Sequence, residues 1–459
     1  MDECRGRPRG HGLPHTIRLL GARFQARVWL LSFQLALLWR RTWSAAEESL
    51  LGPRHAANER NLYLETLWFG VLSGITATFL EVFAVRLGAT PFQVGLLSSL
   101  PALVNVLVPV PAARLLERQT GRIPLILQSV VWQRLAYFLL ALVPFLGPRL
   151  QIGTLVLLAG LATIPAAVLN LGITVLIGDM ASPRDRALVV SRRYVILAGT
   201  TTLISLLGGW WLDLVVFPLN YQILFGAGAL ASLLSLRSLR RINLPYSPPP
   251  AMKPRRSPRR MDLRGAWKRL ASQRGFLRFC GSAFFYHWGL YLPSPLYAIY
   301  RVRNLGANDR WIGLIVMVHT ATSILGYLMA GRYARRWGDT RLLLISSAGL
   351  ALFPILTGLS TSLPPLLFIA VIGGVFGSGL SLALFNVSLA LAPEGQRATY
   401  VALYTMLVNV AAFLAPLVGS ALAETAGIRE TFYLSGALRL LGVGAFLLAF
   451  SGGRGEETG

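Results

Sequence analysis

The sequence predicts an all-α polytopic membrane protein, with twelve transmembrane helices in two homologous six-helix bundles. Three observations lead there. Only 14% of the 459 residues are charged and 54% are hydrophobic, whereas a typical soluble chain is ~25% charged. Phrases of sequence recur half a chain apart, in one order. Arginine crowds into alternate loops between apolar runs.

The spans come first. A spanning helix needs ~20 mostly apolar residues. Candidates lie near 62–85, 92–113, 123–146, 152–178, 189–212, 217–236, 276–300, 310–332, 341–361, 363–391, 399–423 and 431–450. Short turns rich in Gly, Pro and Arg separate them.

Orientation follows from the basic residues. With the N-terminus in the cytoplasm, 36 of the 44 Lys and Arg fall on the cytoplasmic side and 6 on the outer side, with Arg134 and Arg439 inside spans. That asymmetry places both termini in the cytoplasm, and the cell's inner membrane is the expected location.

The remaining segments are of other kinds. Residues 1–60 form a basic cytoplasmic extension, in which VWLLSFQLALLW (28–39) is too short for a comfortable span and is expected as an interfacial helix, with a thirteenth span as the alternative. Residues 237–275 form a Pro/Arg-rich linker with an amphipathic stretch, Leu263, Trp267 and Leu270 sharing one face. The linker separates residues 61–236 from residues 276–450, and 451–459 is a short cytoplasmic tail.

Composition also excludes. The net charge of +25 is distributed between apolar runs, not on a soluble aromatic-bearing domain, so no nucleic-acid partner is expected. Cys4 and Cys280 are the only cysteines, which gives no disulfide framework and no metal site. No Gly-Lys-Ser/Thr phosphate loop appears, so ATP-driven pumping and a cofactor are not expected.

The repeats are specific. RLGATPFQVGLL (86–97) is answered 218 residues later by NLGANDRWIGLI (304–315). Gly121 and Gly338 are 217 apart, and Arg186 with Arg397 and Gly208 with Gly419 are each 211 apart. Ordered anchors at nearly one offset mean two homologous halves. The paired phrases are read as turns between the first and second spans and between the seventh and eighth.

Two six-span halves with both termini inside resemble the major facilitator superfamily. The loop phrases carry the resemblance further. The family's Gly-x-Leu-Ala-Asp-Arg-x-Gly-Arg-Arg turn is similar to Ala113, Leu115, Glu117, Arg118, Gly121 and Arg122, with one extra residue before the glycine. A second copy reads Gly331, Ala334, Arg336, Gly338 and Arg341, with Arg335 in the acidic place. The resemblance implies that Glu117 and Arg118 latch the cytoplasmic side, with Asp179 as a partner, and that transport proceeds by rocking of one bundle against the other. The fifth span keeps Gly208-Gly209, but Ile204-Ser205 replaces the Gly-Pro of the antiporter signature.

Ionisable groups inside hydrocarbon are costly and are therefore functional candidates. On a helical wheel of the first span, Glu81 shares a stripe of small residues with Thr66, Gly70, Ala77 and Ala84, the face expected to meet the bundle. A shielded carboxylate there can carry a proton. Glu65 is read as interfacial. His287 precedes Pro293 and Pro295, so a broken seventh span lined by Tyr286, His287 and Tyr291 makes a plausible solute wall. His319, Arg134, Asn170, Asn386 and Asn409 complete the substrate or coupling candidates.

The reading is a secondary transporter of a small solute, not an enzyme, with the lipid bilayer as its surroundings, a proton as the expected coupling ion and a monomer as the expected state. The alternative is a non-transporting sensor or assembly partner on the same fold.

Overall fold

The computed structural model describes residues 53–118, 122–181, 185–242, 273–393 and 397–451. The interfacial helix expected at 28–39 and the amphipathic stretch at 263–270 lie outside the described residues. From Asn61 onward, both halves belong to one unit.

A helix answers each expected span. The first half contains Pro53–Arg86, Pro91–Leu107, Arg122–Leu142, Pro148–Met180, Arg186–Leu214 and Leu219–Arg240. The second contains Arg274–Tyr291, Asp309–Trp337, Asp339–Leu359, Pro365–Ala390, Arg397–Thr425 and Ile428–Ser451. Ten of the described helices are long and apolar enough to cross a membrane.

The other two are broken by proline. The second span stops at Val108 and resumes as Pro109–Arg118. The seventh stops at Tyr291, resumes as Ser294–Ile299 and ends in a π turn over Tyr300–Asn304. Proline lacks the N–H that would continue the ladder, and its ring crowds the carbonyl four residues back.

The repeated phrases become matching turns. Gly88 (φ 93°) and Gly306 (φ 65°) hold a backbone shape that residues with a Cβ rarely adopt. Two residues later Thr90 and Asn308 cap the second and eighth spans, each side chain accepting from the main chain three residues on. Gln93 returns a bond to the Thr90 N–H at 2.8 Å, completing a capping box.

The core is continuous across the halves only in part. Phe79, Phe83, Tyr221 and Phe225 of the first half share a buried cluster with Leu296, Tyr300, Ile312 and Phe432 of the second. That cluster lies at the end carrying the paired turns, here called the seam end. The opposite end, from which the linker departs after Arg240, is the linker end. On the bulky face of the first span Leu72, Ile75, Phe79 and Phe83 are buried, with Phe83 stacked on Tyr221 at 4.8 Å, whereas on the small-residue face Ala77 is exposed and Glu81 half-buried. The wheel therefore separates small from large residues here, and the small-residue stripe expected to meet the bundle is not the more buried face.

Candidate functional site

At the seam end the halves interlock through two helix crossings. At Gly95 of the second span, a Cβ would meet the Ser420 hydroxyl and, at 3.2 Å, the Pro416 carbonyl of the eleventh span. At Gly313 of the eighth span, a Cβ would meet the Ser205 carbonyl and, at 3.5 Å, the Gly209 Cα of the fifth span. Gly95 and Gly313 are repeat partners at offset 218, and Ser205 and Gly209 correspond to Pro416 and Ser420 at offset 211. The two crossings are therefore one contact made twice, and missing side chains let the backbones approach.

A polar latch joins the same end. Arg86, at the close of the first span, pairs with Asp309 at 3.1 Å and donates to the Ala307 carbonyl at 3.2 Å. Tyr221 donates to Asp309 at 2.5 Å, and Asp213 accepts from the Asp309 and Arg310 N–H groups at 3.0 and 3.3 Å. Arg303 reaches back to the carbonyls of Val85 and Ala89 at 3.2 and 2.7 Å. Among the described residues, the hydrogen bonds between the halves all lie at this end. A cavity of about 480 Å³ opens beside the latch, lined in part by Arg86, Asp213, Asn220 and Asp309.

Just inside the latch sits Glu81, five residues before Arg86 and so ~7.5 Å deeper along its helix. Its carboxylate accepts from Ser98 of the second span at 2.6 Å. Arg301, from the π turn of the opposite half, acts electrostatically on Glu81 without an ion-pair contact. Its guanidinium lies 5.9 Å from the Tyr297 ring, and its buried Nε has no hydrogen-bond partner. The same charge acts on the exposed His319 of the eighth span. Glu81 and His319 thus both feel one arginine, which sequence reasoning counted only among the outer-side charges. The available signal was its place directly after a proline-broken span, where a helical continuation carries it inward.

The other candidates lie elsewhere. His287 is buried, its Nδ1 bonded to the Ala283 carbonyl at 2.7 Å, with Tyr291 and Tyr404 at 5.8 and 6.3 Å between ring centres. Tyr286 is fully buried and donates to the Ser347 carbonyl of the ninth span, so it belongs to the bundle interior and not to the wall expected beside His287. Asn170 lines a cavity of about 190 Å³ with Ser73, Thr76, Gln133 and Tyr137. Asn409 bonds its own helix at the Thr405 carbonyl.

Arg134 is 1% exposed, bonded to Gln133 and to Ser235, and lies 5.3 Å from the Phe69 ring. Its charge faces Glu65, which is itself 1% exposed. The interfacial reading of Glu65 is therefore wrong. Arg193 donates to Thr66 beside it and completes a buried cluster that compensates the acid.

At the linker end, the second copy of the gate turn is described. Gly338, at φ 83°, is the single residue between the eighth and ninth spans. Arg336 and Arg341 are exposed and Gly331 is half-buried. Asn386, a solute-contact candidate, donates to Asp339 of the ninth span at 2.8 Å. In the first copy, Ala113 is half-buried, while Gly121 and the side chains of Glu117, Arg118 and Arg122 lie outside the described residues. Asp179 is exposed at the end of the fourth span.

Two pseudo-symmetric helical halves, joined tightly at one end and holding ionisable groups between them, define a multi-pass membrane transporter. Comparison with known proteins agrees. The Major Facilitator Superfamily profile matches residues 66–300 and 279–458, and the chain belongs to that superfamily. A Deinococcus radiodurans protein named "Putative sugar efflux transporter" is 25% identical over 397 residues, spanning 84% of this chain and 97% of that protein. Among solved structures, the nucleoside transporter NupG (as a point variant) superposes with a TM-score of 0.69 at 13% identity, over 86% of this chain and all of that one. The D-xylose-proton symporter gives 0.64 at 14% identity, over 86% and 97%. At such identities the structural likenesses carry the fold alone.

Proposed function

We propose that the protein is a proton-coupled secondary transporter of a small polar solute of the sugar or nucleoside kind, working by alternating access. The observation that carries this reading is Glu81 itself, a carboxylate held by Ser98 just inside the latch, with the charge of Arg301 from the opposite half acting on it and no direct ion pair. A solute with several hydroxyl groups can bridge such groups, and the carboxylate is suited to exchange a proton as its surroundings change. The names of the sugar and nucleoside relatives favour the same solute class.

The arginine asymmetry puts the linker end in the cytoplasm of a cell with this protein in its inner membrane. The seam is then the outer gate, and the described state is closed to the outside. Glu117, Arg118 and Asp179 are the corresponding latch on the cytoplasmic side. Residues 61–236 and 276–450 act as the two rocking bodies of a monomer.

The test is counterflow of labelled sugars and nucleosides in proteoliposomes. The wild-type chain is expected to move a member of that panel without nucleotide. Glu81→Gln is expected to abolish pH-driven accumulation while keeping exchange of bound solute. Unchanged pH-driven uptake in that variant removes Glu81 from the coupling step.

A further inference from the structure

Arg439 of the twelfth span is 2% exposed. Among the described residues, its hydrogen bonds are not to a carboxylate. Nη1 donates to the Leu350 carbonyl at 2.9 Å, Nε to the Gly289 carbonyl at 3.3 Å, and Nη2 to the Leu290 carbonyl at 3.3 Å and the Tyr297 hydroxyl at 3.4 Å. Ser435, one turn earlier on the same helix, adds a 2.7 Å bond to the Gly289 carbonyl.

Two of these acceptors have a common cause. Leu350 lies four residues before Pro354, and Gly289 lies four before Pro293. In an intact helix each carbonyl would receive the N–H four residues on, and proline has none. Each proline therefore orphans one carbonyl inside hydrocarbon, where an unmet acceptor is costly. A planar guanidinium with five fixed donors can serve both at once, which an ammonium on a flexible stem does less well. Gly289 lets the helices come close enough, since a Cβ there would sit 3.2 Å from the Arg439 backbone nitrogen.

We propose that Arg439 is a positioning residue: it replaces the main-chain bonds removed by Pro293 and Pro354, and so fixes the angle of the broken seventh span. The segment beyond the break carries Tyr297, which Arg439 holds directly. It also carries Arg301, which lies over the Tyr297 ring and acts on Glu81, and Arg303, which closes onto the turn after the first span. Arg439 thus governs the solute site and the seam through one bend, and this step rests on the alternating-access reading.

Two measurements test it on the purified full-length chain. In thermal unfolding, Arg439→Met is expected to lower the melting temperature by ~5 °C or more, since several charge-assisted bonds go at once. Pro354→Ala restores the N–H that Leu350 lacks, so it is expected to recover stability in the Arg439→Met background and not in the wild type. Additive effects in that cycle overturn the proposal.

The second measurement uses spin labels at Arg149→Cys and Thr361→Cys, with both native cysteines changed to Ser. Here Arg439→Met is expected to broaden and lengthen the seam-end distances, and Arg439→Lys to fall between it and the wild-type distribution. If Arg439→Met fails to fold, the Arg439→Met, Pro354→Ala double variant carries the distance test, because the Leu350 carbonyl then has a partner again and the seventh-span carbonyls of Gly289 and Leu290 still lose Arg439. An unchanged distribution in a folded variant overturns the positioning role while leaving alternating access intact. Positive results from both measurements, with no transport by the wild type, overturn alternating access alone.

Discussion

The two crossings at the seam occupy equivalent places in the repeat, yet they are built unequally. Where the fifth and eighth spans cross, Gly313 faces a backbone carbonyl of Ser205, and Asp309, Arg86, Tyr221 and Asp213 join around the same helix start. Where the second and eleventh spans cross, Gly95 faces the rotatable hydroxyl of Ser420, and the nearby polar contact is a 3.4 Å bond from the Phe92 N–H to Glu424. One crossing is packed and latched; the other is chiefly packed. The repeat supplies the close approach to both, and the charges stand chiefly at one of them. The fifth–eighth crossing should therefore dominate the stability of the closed seam.

Three substitutions test that ranking, read as the fraction of closed seam by spin-label distances and as melting temperature. Asp309→Ala should act most. It strands Arg86 and Tyr221 and frees the end of the eighth span, and with Arg86 partly exposed the loss is about 2–4 kcal/mol, which shifts the closed population more than ~10-fold. Gly313→Ala should come second, at about 1–3 kcal/mol, because its methyl meets main chain that cannot rotate away. Gly95→Ala should act least, under about 1 kcal/mol, since the Ser420 side chain can turn aside. Ser420→Ala should erase most of that last effect, whereas no side-chain change at Ser205 should rescue Gly313→Ala. Equal effects at the two glycines would show the crossings to be energetically equivalent.

The buried arginines differ in a similar way. Arg134 faces Glu65, while Arg439 is held by carbonyl oxygens that two prolines leave open. Sequence reasoning identified both as charges within spans, offered Arg134 as a substrate or coupling candidate and gave Arg439 no role. The prolines were legible, and so was the arginine. Their conjunction was not, because Leu350, Gly289 and Arg439 lie on three helices.

The sequence by itself determined the helices, their grouping into two related halves, the superfamily and the turns that repeat. Those features are carried by apolar length, local capping chemistry and internal homology, which need no knowledge of how helices rotate. It also singled out Glu81. Only the tertiary structure decided that the repeated glycines are crossing points, that Arg86 meets Asp309 across 223 residues, that the charge of Arg301 acts on Glu81 from the opposite half and that Glu65 is buried. Such contacts depend on the azimuth and crossing angle of each helix. In a chain apolar on nearly every face, hydropathy gives those angles no periodic signal, and close packing of side chains sets them instead.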